Sequence, residues 1–270
     1  MTKQTIEVGQ YTAAYTSVGK GIPVILLHGF FGNARTLDPL AQGLAKNYCC
    51  INLELLGFGD SSKPDIRYLI GDHVEFLRAF IAAKQISEFY LVGYSYGAWV
   101  AAAYAATIDD RQTAIPQLSK MVLVAPAGIR DDTFVGRYNF VKPLLWQTPL
   151  VDLALNAIAP IAKLLKYEYF DTIRMARTEI STQPAARSFL IDRLKPEDAV
   201  DTVENEIDRI TIPTLVIAGE VDGTIPRWHS QTYAEKIPQA SLVVIAGADH
   251  DLVQTHADEV ARSILAHWRR

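Results

Sequence analysis

Cysteine is nearly absent: the 270 residues hold two, adjacent as Cys49 and Cys50. Neighbouring thiols cannot staple distant segments, and no C-x-x-C metal spacing exists, so a reducing, cytoplasmic setting is expected. A large excess of charge of one sign is missing too. With 26 Lys+Arg against 30 Asp+Glu the net charge is -4, and no Lys/Arg-rich cluster interrupts the sequence. That composition offers no field for phosphate, so no nucleic acid partner is expected. Long hydrophobic runs are also lacking. The greasiest stretch, "LVDLALNAIAPIAKLL" at 150–165, contains Asp152 and Pro160 and falls short of the ~18 to 20 apolar residues of a membrane span. It reads as a buried or lid helix. The opening "MTKQTIEVGQYTAAY" has no apolar stretch behind its lysine, which argues against a secretory signal there.

What the sequence does have is an alternation of two periods. Short runs apolar on both faces recur as "PVILLH" (23–28), "YCCINL" (48–53), "FYLVG" (89–93), "KMVLVA" (120–125), "TLVIAG" (214–219) and "SLVVIA" (241–246). Such runs fit strands covered by helices on both sides. Between them lie helical stripes, as in "DIRYLIGDHVEFLRAFIAAKQI" (65–86), whose Ile66, Leu69, Ile70, Val74, Leu77, Phe80 and Ile81 share one face. "QTIEVG" and "YTAAYTSVG" alternate and nearly touch in sequence, the pattern of an antiparallel hairpin at a sheet edge. The expected class is α/β, a mostly parallel eight-stranded sheet with helices on both faces. From 129 to 201 the strand rhythm stops. Leucine, alanine and aromatic residues at helical spacing, punctuated by Pro143, Pro149, Pro160 and Pro184, predict a helical insert after the sixth strand, with residues 1–128 and 202–270 forming the core.

The chemistry starts at "FYLVGYSYGAWVAAAYAA", a strand, a tight turn and a helix whose turn reads G-x-S-x-G from Gly93 to Gly97. Glycines on either side let a serine sit on a sharp, strained turn where a neighbouring Cβ would collide. A serine hydroxyl is a poor nucleophile near neutral pH and needs a general base, itself oriented by an acid. Both follow in the required order. "GEVDGTIP" sets Asp222 just past one strand and "GADHD" sets His250 just past the next, at the strand ends where open α/β sheets build their sites. Glu220 is the rival acid. Among the other histidines, His28 and His229 lack that combination of context and order, while His73, His256 and His267 fall in or beside helical patterns as surface or packing residues.

Together with "HGFFGNARTLDPL" and "LELLGFGDSSKP", these motifs make the chain resemble the α/β-hydrolase fold superfamily, in its group of small capped serine hydrolases that includes esterases, lipases and C–C hydrolases. The resemblance spans about 5–127 and 202–270. It implies Ser95, His250 and Asp222 as the catalytic set, and the backbone N–H groups of Phe30 and Tyr96 as the oxyanion hole. It implies a structural His28, and no metal or organic cofactor. Asp60 is expected to cap its turn. Two departures stand out: Glu54 where relatives commonly have aspartate, and Ala248 where a second glycine often stands.

The insert is expected to lie over the site as a lid, with Phe31, Phe140 and Trp146 lining a pocket for a small or medium apolar, ester-like substrate. Phe134, Tyr138, Tyr167, Tyr169 and Phe170 would add apolar bulk, and Arg174, Arg177 and Arg187 are read as a solvated face rather than as carboxylate ligands. The implied activity is ester hydrolysis. The alternatives are C–C bond hydrolysis of meta-cleavage-product type, whose enzymes often carry tryptophan after the histidine where Asp251 stands here, and a non-catalytic ligand-binding role. Dehalogenation and epoxide opening usually need aspartate as nucleophile, so Ser95 argues against both.

Overall fold

The computed structural model describes residues 1–108, 116–131, 143–146, 148–165, 167, 169–192 and 201–269. Eight strands form one sheet: β1 (Lys3–Val8), β2 (Tyr11–Val18), β3 (Pro23–Leu27), β4 (Cys49–Leu53), β5 (Glu88–Tyr94), β6 (Gln117–Val124), β7 (Thr214–Gly219) and β8 (Ala240–Ile245), in the order β1-β2-β4-β3-β5-β6-β7-β8. The opening hairpin pairs antiparallel, β2 joins β4 antiparallel, and every later pairing is parallel.

Side chains alternate across a strand, so a run that is apolar throughout feeds two cores at once. Ile25 and Leu27 of β3, Phe89 and Leu91 of β5 and Met121 and Leu123 of β6 enter one core with α2 (Ile70–Ala83), α3 (Tyr96–Ala106) and α7 (Arg227–Lys236). Val24, Leu26, Val92, Val122 and Val124 enter the other with α1 (Asp38–Leu44), α8 (Leu252–Thr255) and α9 (Ala257–Trp268). Each such aliphatic side chain contributes about 1.5–3 kcal/mol by leaving water, so this division of the runs fixes the sheet between its two helical layers. The last run behaves differently: Ser241 and Val244 of β8 remain exposed. β8 is one of the sheet's two edges, paired only with β7.

The stripe read at 65–86 becomes helical only from Ile70, and Ile66 and Leu69 stay partly exposed. The helix begins where the Asp72 carboxylate accepts the Leu69 N–H at 2.7 Å, satisfying a donor that has no partner within the helix.

Between β6 and β7 the described residues hold helices and no strand: α4 (Pro149–Leu164), α5 (Tyr169–Thr182) and α6 (Pro184–Asp192), with short 3-10 turns at 143–145 and Ile207–Arg209. Pro149 and Pro184 open helices, the position where a missing N–H costs nothing. Pro160 does not end α4, which runs through it. The two stems of this segment meet at one place. The Val203 N–H donates to the Gly128 carbonyl at 2.9 Å, and the Trp99 indole donates to the Asp201 carbonyl at 3.1 Å. Gly128 has φ +100, and a Cβ there would lie 2.5 Å from the Trp99 ring. Among the described residues no helix is long and apolar enough to cross a membrane.

The order of strands decides where a site can form. From β3 the chain goes to β4 on one side and then crosses to β5 on the other. The loops after β3 and β5 therefore diverge, leaving a crevice at the carboxyl ends of these strands. Residues 28–31 and Ser95 lie there.

Candidate active site

Ser95 sits between β5 and α3 with φ 52 and ψ -114, a conformation that costs a residue with a Cβ of order 1–3 kcal/mol. Backbone hydrogen bonds hold it there. Its N–H donates to the Val124 carbonyl at 2.9 Å, and its carbonyl accepts from Ala98, Trp99 and Ala127. The flanking glycines are required by contact. A Cβ on Gly93 would lie 2.4 Å from the Ala98 Cα, and one on Gly97 would lie 2.3 Å from the Leu27 carbonyl oxygen.

The Ser95 hydroxyl lies 2.9 Å from His250 Nε2, and His250 Nδ1 lies 2.8 Å from Asp222 Oδ2. A carboxylate only accepts, so the imidazole proton belongs on Nδ1 and the Nε2 lone pair faces the serine hydroxyl. The other Asp222 oxygen accepts the N–H groups of Thr224 and Ile225, each at 2.8 Å, which fixes the carboxylate's rotation. Glu220 turns elsewhere and accepts the Gly247 N–H at 2.8 Å.

His28 is buried and its ring is fully used: Nε2 accepts the Leu55 N–H at 3.1 Å and Nδ1 donates to the Gly29 carbonyl at 2.8 Å. Burial pushes its pKa down, against the Gly29 bond and the Glu54 carboxylate, which raise it. A neutral imidazole thus orders the loop that brings Gly29 against Ser95, where an added Cβ would lie 3.1 Å from the serine Cβ. Phe30 and Phe31 follow, with ring centroids 4.4 Å apart and Phe31 at φ 58. Tyr96 opens α3, where N–H groups point out of the helix end, and its ring packs 6.1 Å from Phe30.

Glu54 explains its own departure from aspartate. Fully buried, it accepts the Ala34 N–H at 3.2 Å and the Asp60 N–H at 2.5 Å, and it meets Lys3 Nζ at 3.2 Å. Asp60 does not cap its turn through its side chain as expected; that carboxylate reaches out to Lys3, which holds it below the usual carboxylate range.

The remaining residues expected to line a pocket divide. Trp146 is 64% exposed, and its backbone carbonyl accepts from Arg177 at 2.9 Å. Phe140, Phe134 and Tyr138 lie outside the described residues. Arg177 is not on a solvated face: it is buried, bonded to both oxygens of Asp152 and to the carbonyls of Leu144 and Trp146. His73 packs against Tyr96, ring centroids 5.3 Å apart.

Three neighbours escaped the sequence reading. Phe189 of α6 packs 5.1 Å from Phe30 and 5.8 Å from Tyr96, a contact across about half the chain that no local pattern announces. Tyr94 and Asp249 touch His250 itself. Strand alternation carries the signal for Tyr94, because it shares a face with Val92 and both belong to the core on the α8 and α9 side. Among the described residues no cluster of His, Cys, Asp and Glu could hold a metal ion.

The chain matches the Alpha/beta hydrolase family model over residues 24–263. It is 24% identical to 2-hydroxy-6-oxo-6-(2'-aminophenyl)hexa-2,4-dienoic acid hydrolase of Metapseudomonas resinovorans, over 98% of this chain and 90% of that protein. With the haloalkane dehalogenase of Mesorhizobium japonicum the identity is 25%, again over 98% of this chain and 90% of the relative. In structure it is similar to a membrane phospholipase A, a bacterial virulence factor, with a TM-score of 0.78, 22% identity, and coverage of 99% of this chain and 86% of that one. These proteins agree on a fold and differ in what they act on.

Proposed function

Because the chain belongs to the alpha/beta hydrolase family, we propose that it is a serine hydrolase cleaving carboxylic esters of small to medium apolar molecules. One observation carries this reading: a strained serine whose hydroxyl lies 2.9 Å from an imidazole that is itself oriented by a carboxylate at 2.8 Å. Ser95 Oγ attacks the ester carbonyl while its proton passes to His250 Nε2. The C–O bond then breaks, and the leaving alkoxide takes that proton. His250 next deprotonates a water that attacks the acyl-Ser95, releasing the acid and regenerating the hydroxyl. Asp222 keeps the imidazole in the required tautomer. The N–H groups of Phe30 and Tyr96 receive the charge that develops on the carbonyl oxygen, each such donor contributing about 2.7–4 kcal/mol to the barrier's lowering.

The surroundings favour a neutral, apolar substrate. Phe30, Phe31 and Phe189 form one aromatic group packed on Tyr96, the residue after Ser95, with residues 129–201 read as a cap that closes over it. Four of the five Arg177 N–H groups are taken by Asp152 and two carbonyls, and Asp152 already balances its charge, so it is a poor partner for a substrate carboxylate. Asp249 and Asp251 flank His250 and would repel an anion. The likeness to a dienoic acid hydrolase along nearly the whole chain supports a second reading, C–C bond hydrolysis of a meta-cleavage-type product. The likeness to a haloalkane dehalogenase is not carried over, since serine rather than aspartate stands at the elbow.

Fluorophosphonate labelling of the wild type and of Ser95→Ala tests the nucleophile. Labelling of the wild type alone is expected; a folded but unlabelled wild type would leave the ligand-binding, non-catalytic alternative. A p-nitrophenyl ester series of increasing acyl length, run beside a dienoate substrate, then separates the two chemistries. Turnover of the dienoate with none of the esters would overturn the ester reading.

A further inference from the structure

All four polar atoms of His250 are engaged, and two of the partners lie outside the catalytic set proposed above. The imidazole bonds Asp222 and Ser95. Its backbone N–H donates to Asp249 Oδ1 at 2.6 Å, and its carbonyl accepts the Tyr94 hydroxyl at 3.0 Å. The same Asp249 oxygen accepts the Gly223 N–H at 2.9 Å. One atom therefore joins the residue that follows Asp222 to the backbone of His250.

That bond is the outermost rung of a ladder between the acid loop and the histidine loop. Glu220 N–H to the Ile245 carbonyl and Val221 N–H to the Ala248 carbonyl, each at 3.0 Å, form the rungs nearer the sheet. A Cβ on Gly219 would lie 2.5 Å from the Ala248 carbonyl oxygen, so the loops meet backbone to backbone. Beyond Val221 that contact ends, and the Asp249 side chain spans the remaining gap. From the opposite side the Tyr94 ring lies against the imidazole, ring centroids 5.3 Å apart. Burial and the nearby carboxylates of Asp222, Asp251 and Asp249 raise the Tyr94 phenol's pKa, which keeps its proton available as a donor.

We infer that Asp249 and Tyr94 are positioning residues, which fix the backbone of His250 so that its two ring nitrogens meet Asp222 and Ser95 together. What Asp249 supplies is an acceptor atom rather than a charge, because both of its partners are backbone N–H groups. This rests on the serine-hydrolase reading, and the test separates the two. The rate of fluorophosphonate labelling is measured for wild type, Ser95→Ala, Asp249→Ala, Asp249→Asn and Tyr94→Phe, with kcat and KM on a p-nitrophenyl ester and melting curves for each.

Asp249→Ala is expected to label about 10- to 100-fold more slowly, the effect of misplacing a reacting group by around 1 Å, with kcat lowered and KM little changed. Asp249→Asn keeps an oxygen acceptor and recovers most of that rate. Tyr94→Phe slows labelling by a smaller factor. An unlabelled wild type would overturn the serine-hydrolase reading itself. A labelled wild type with Asp249→Ala equally fast, or with Asn as slow as Ala, would overturn this inference alone. Should Asp249→Ala not fold, Tyr94→Phe decides: labelling at the wild-type rate counts against the pair as positioning residues.

Discussion

Helices α3 and α4 are both built almost entirely from apolar residues, "YGAWVAAAYAA" and "PLVDLALNAIAPIAKL", yet they meet opposite environments. α3 is buried on nearly every side, between the sheet, α2 and the stems of the inserted segment. α4 buries Ala162 alone, while Leu150, Leu153, Ile161 and Leu164 face outward. The helix that positions Ser95 is thus over-determined by its contacts. The segment above it is held by a small cluster of Leu145, Ile180 and Leu190 and by the Arg177 network. Strain such as that at Ser95 persists only where the surroundings leave no alternative, and α3 is such a place.

Substitutions at the α3 end should have the largest effects. Ser95→Ala is expected to lower ester turnover by about 10⁴-fold or more while leaving the melting temperature near that of the wild type; residual turnover within tenfold would remove Ser95 from the chemistry. Gly97→Ala attacks the packing instead. With the new carbon 2.3 Å from the Leu27 carbonyl oxygen, backbone must move, and a stability loss of about 3 kcal/mol is expected in urea unfolding. Gly71→Ala in α2, where nothing lies within 4 Å of the added carbon, is the matched control and should gain slightly.

A smaller effect should appear as pH falls. Burial lowers the folded-state pKa of His28, and of His229 on α7 despite the Asp131 carboxylate 3.1 Å away. The unfolded chain then takes up protons that the folded one refuses. The stability these groups contribute is whole above about pH 6.5 and is lost as pH falls towards their folded values, by at most about 1.4 kcal/mol per pH unit for each proton. Melting temperatures should therefore decline between pH 6.5 and 5, and less steeply in His28→Gln. An unchanged slope in that variant would mean that His28 is not among the groups responsible.

The same contrast explains what could be read from sequence. In β3, β5 and β6 each apolar residue has a core to enter on whichever face it points, so composition and period sufficed to find the strands. The elbow, Asp222 and His250 were legible because each follows a strand directly and the chain order constrains them. Phe189 was not, since its contact with Phe30 depends on how α6 returns to the core. Arg177 departs from its expected solvated face for a related reason: helical spacing alone cannot tell a solvated arginine from one whose carboxylate and carbonyl partners lie on other segments. The stripe at 65–86 overshoots the helix by five residues at its N-terminal end, because periodicity ignores where the Leu69 N–H finds its acceptor.

The smallest effect tests the other half of the contrast. Leu164 is 83% exposed and Leu153 62%, so replacing either with glutamine gives up almost no buried area. A surface change of this kind stays within about 0.5 kcal/mol, against several for an equivalent change in α3, such as Val100→Gln, whose side chain is fully buried. Leu153→Gln with Leu164→Gln should leave the melting temperature and the turnover of a soluble ester unchanged. A fall of several degrees would show that the outer face of α4 is covered in solution. α3 and α4 would then differ only in which surface buries them, and the apolar composition they share would have one explanation.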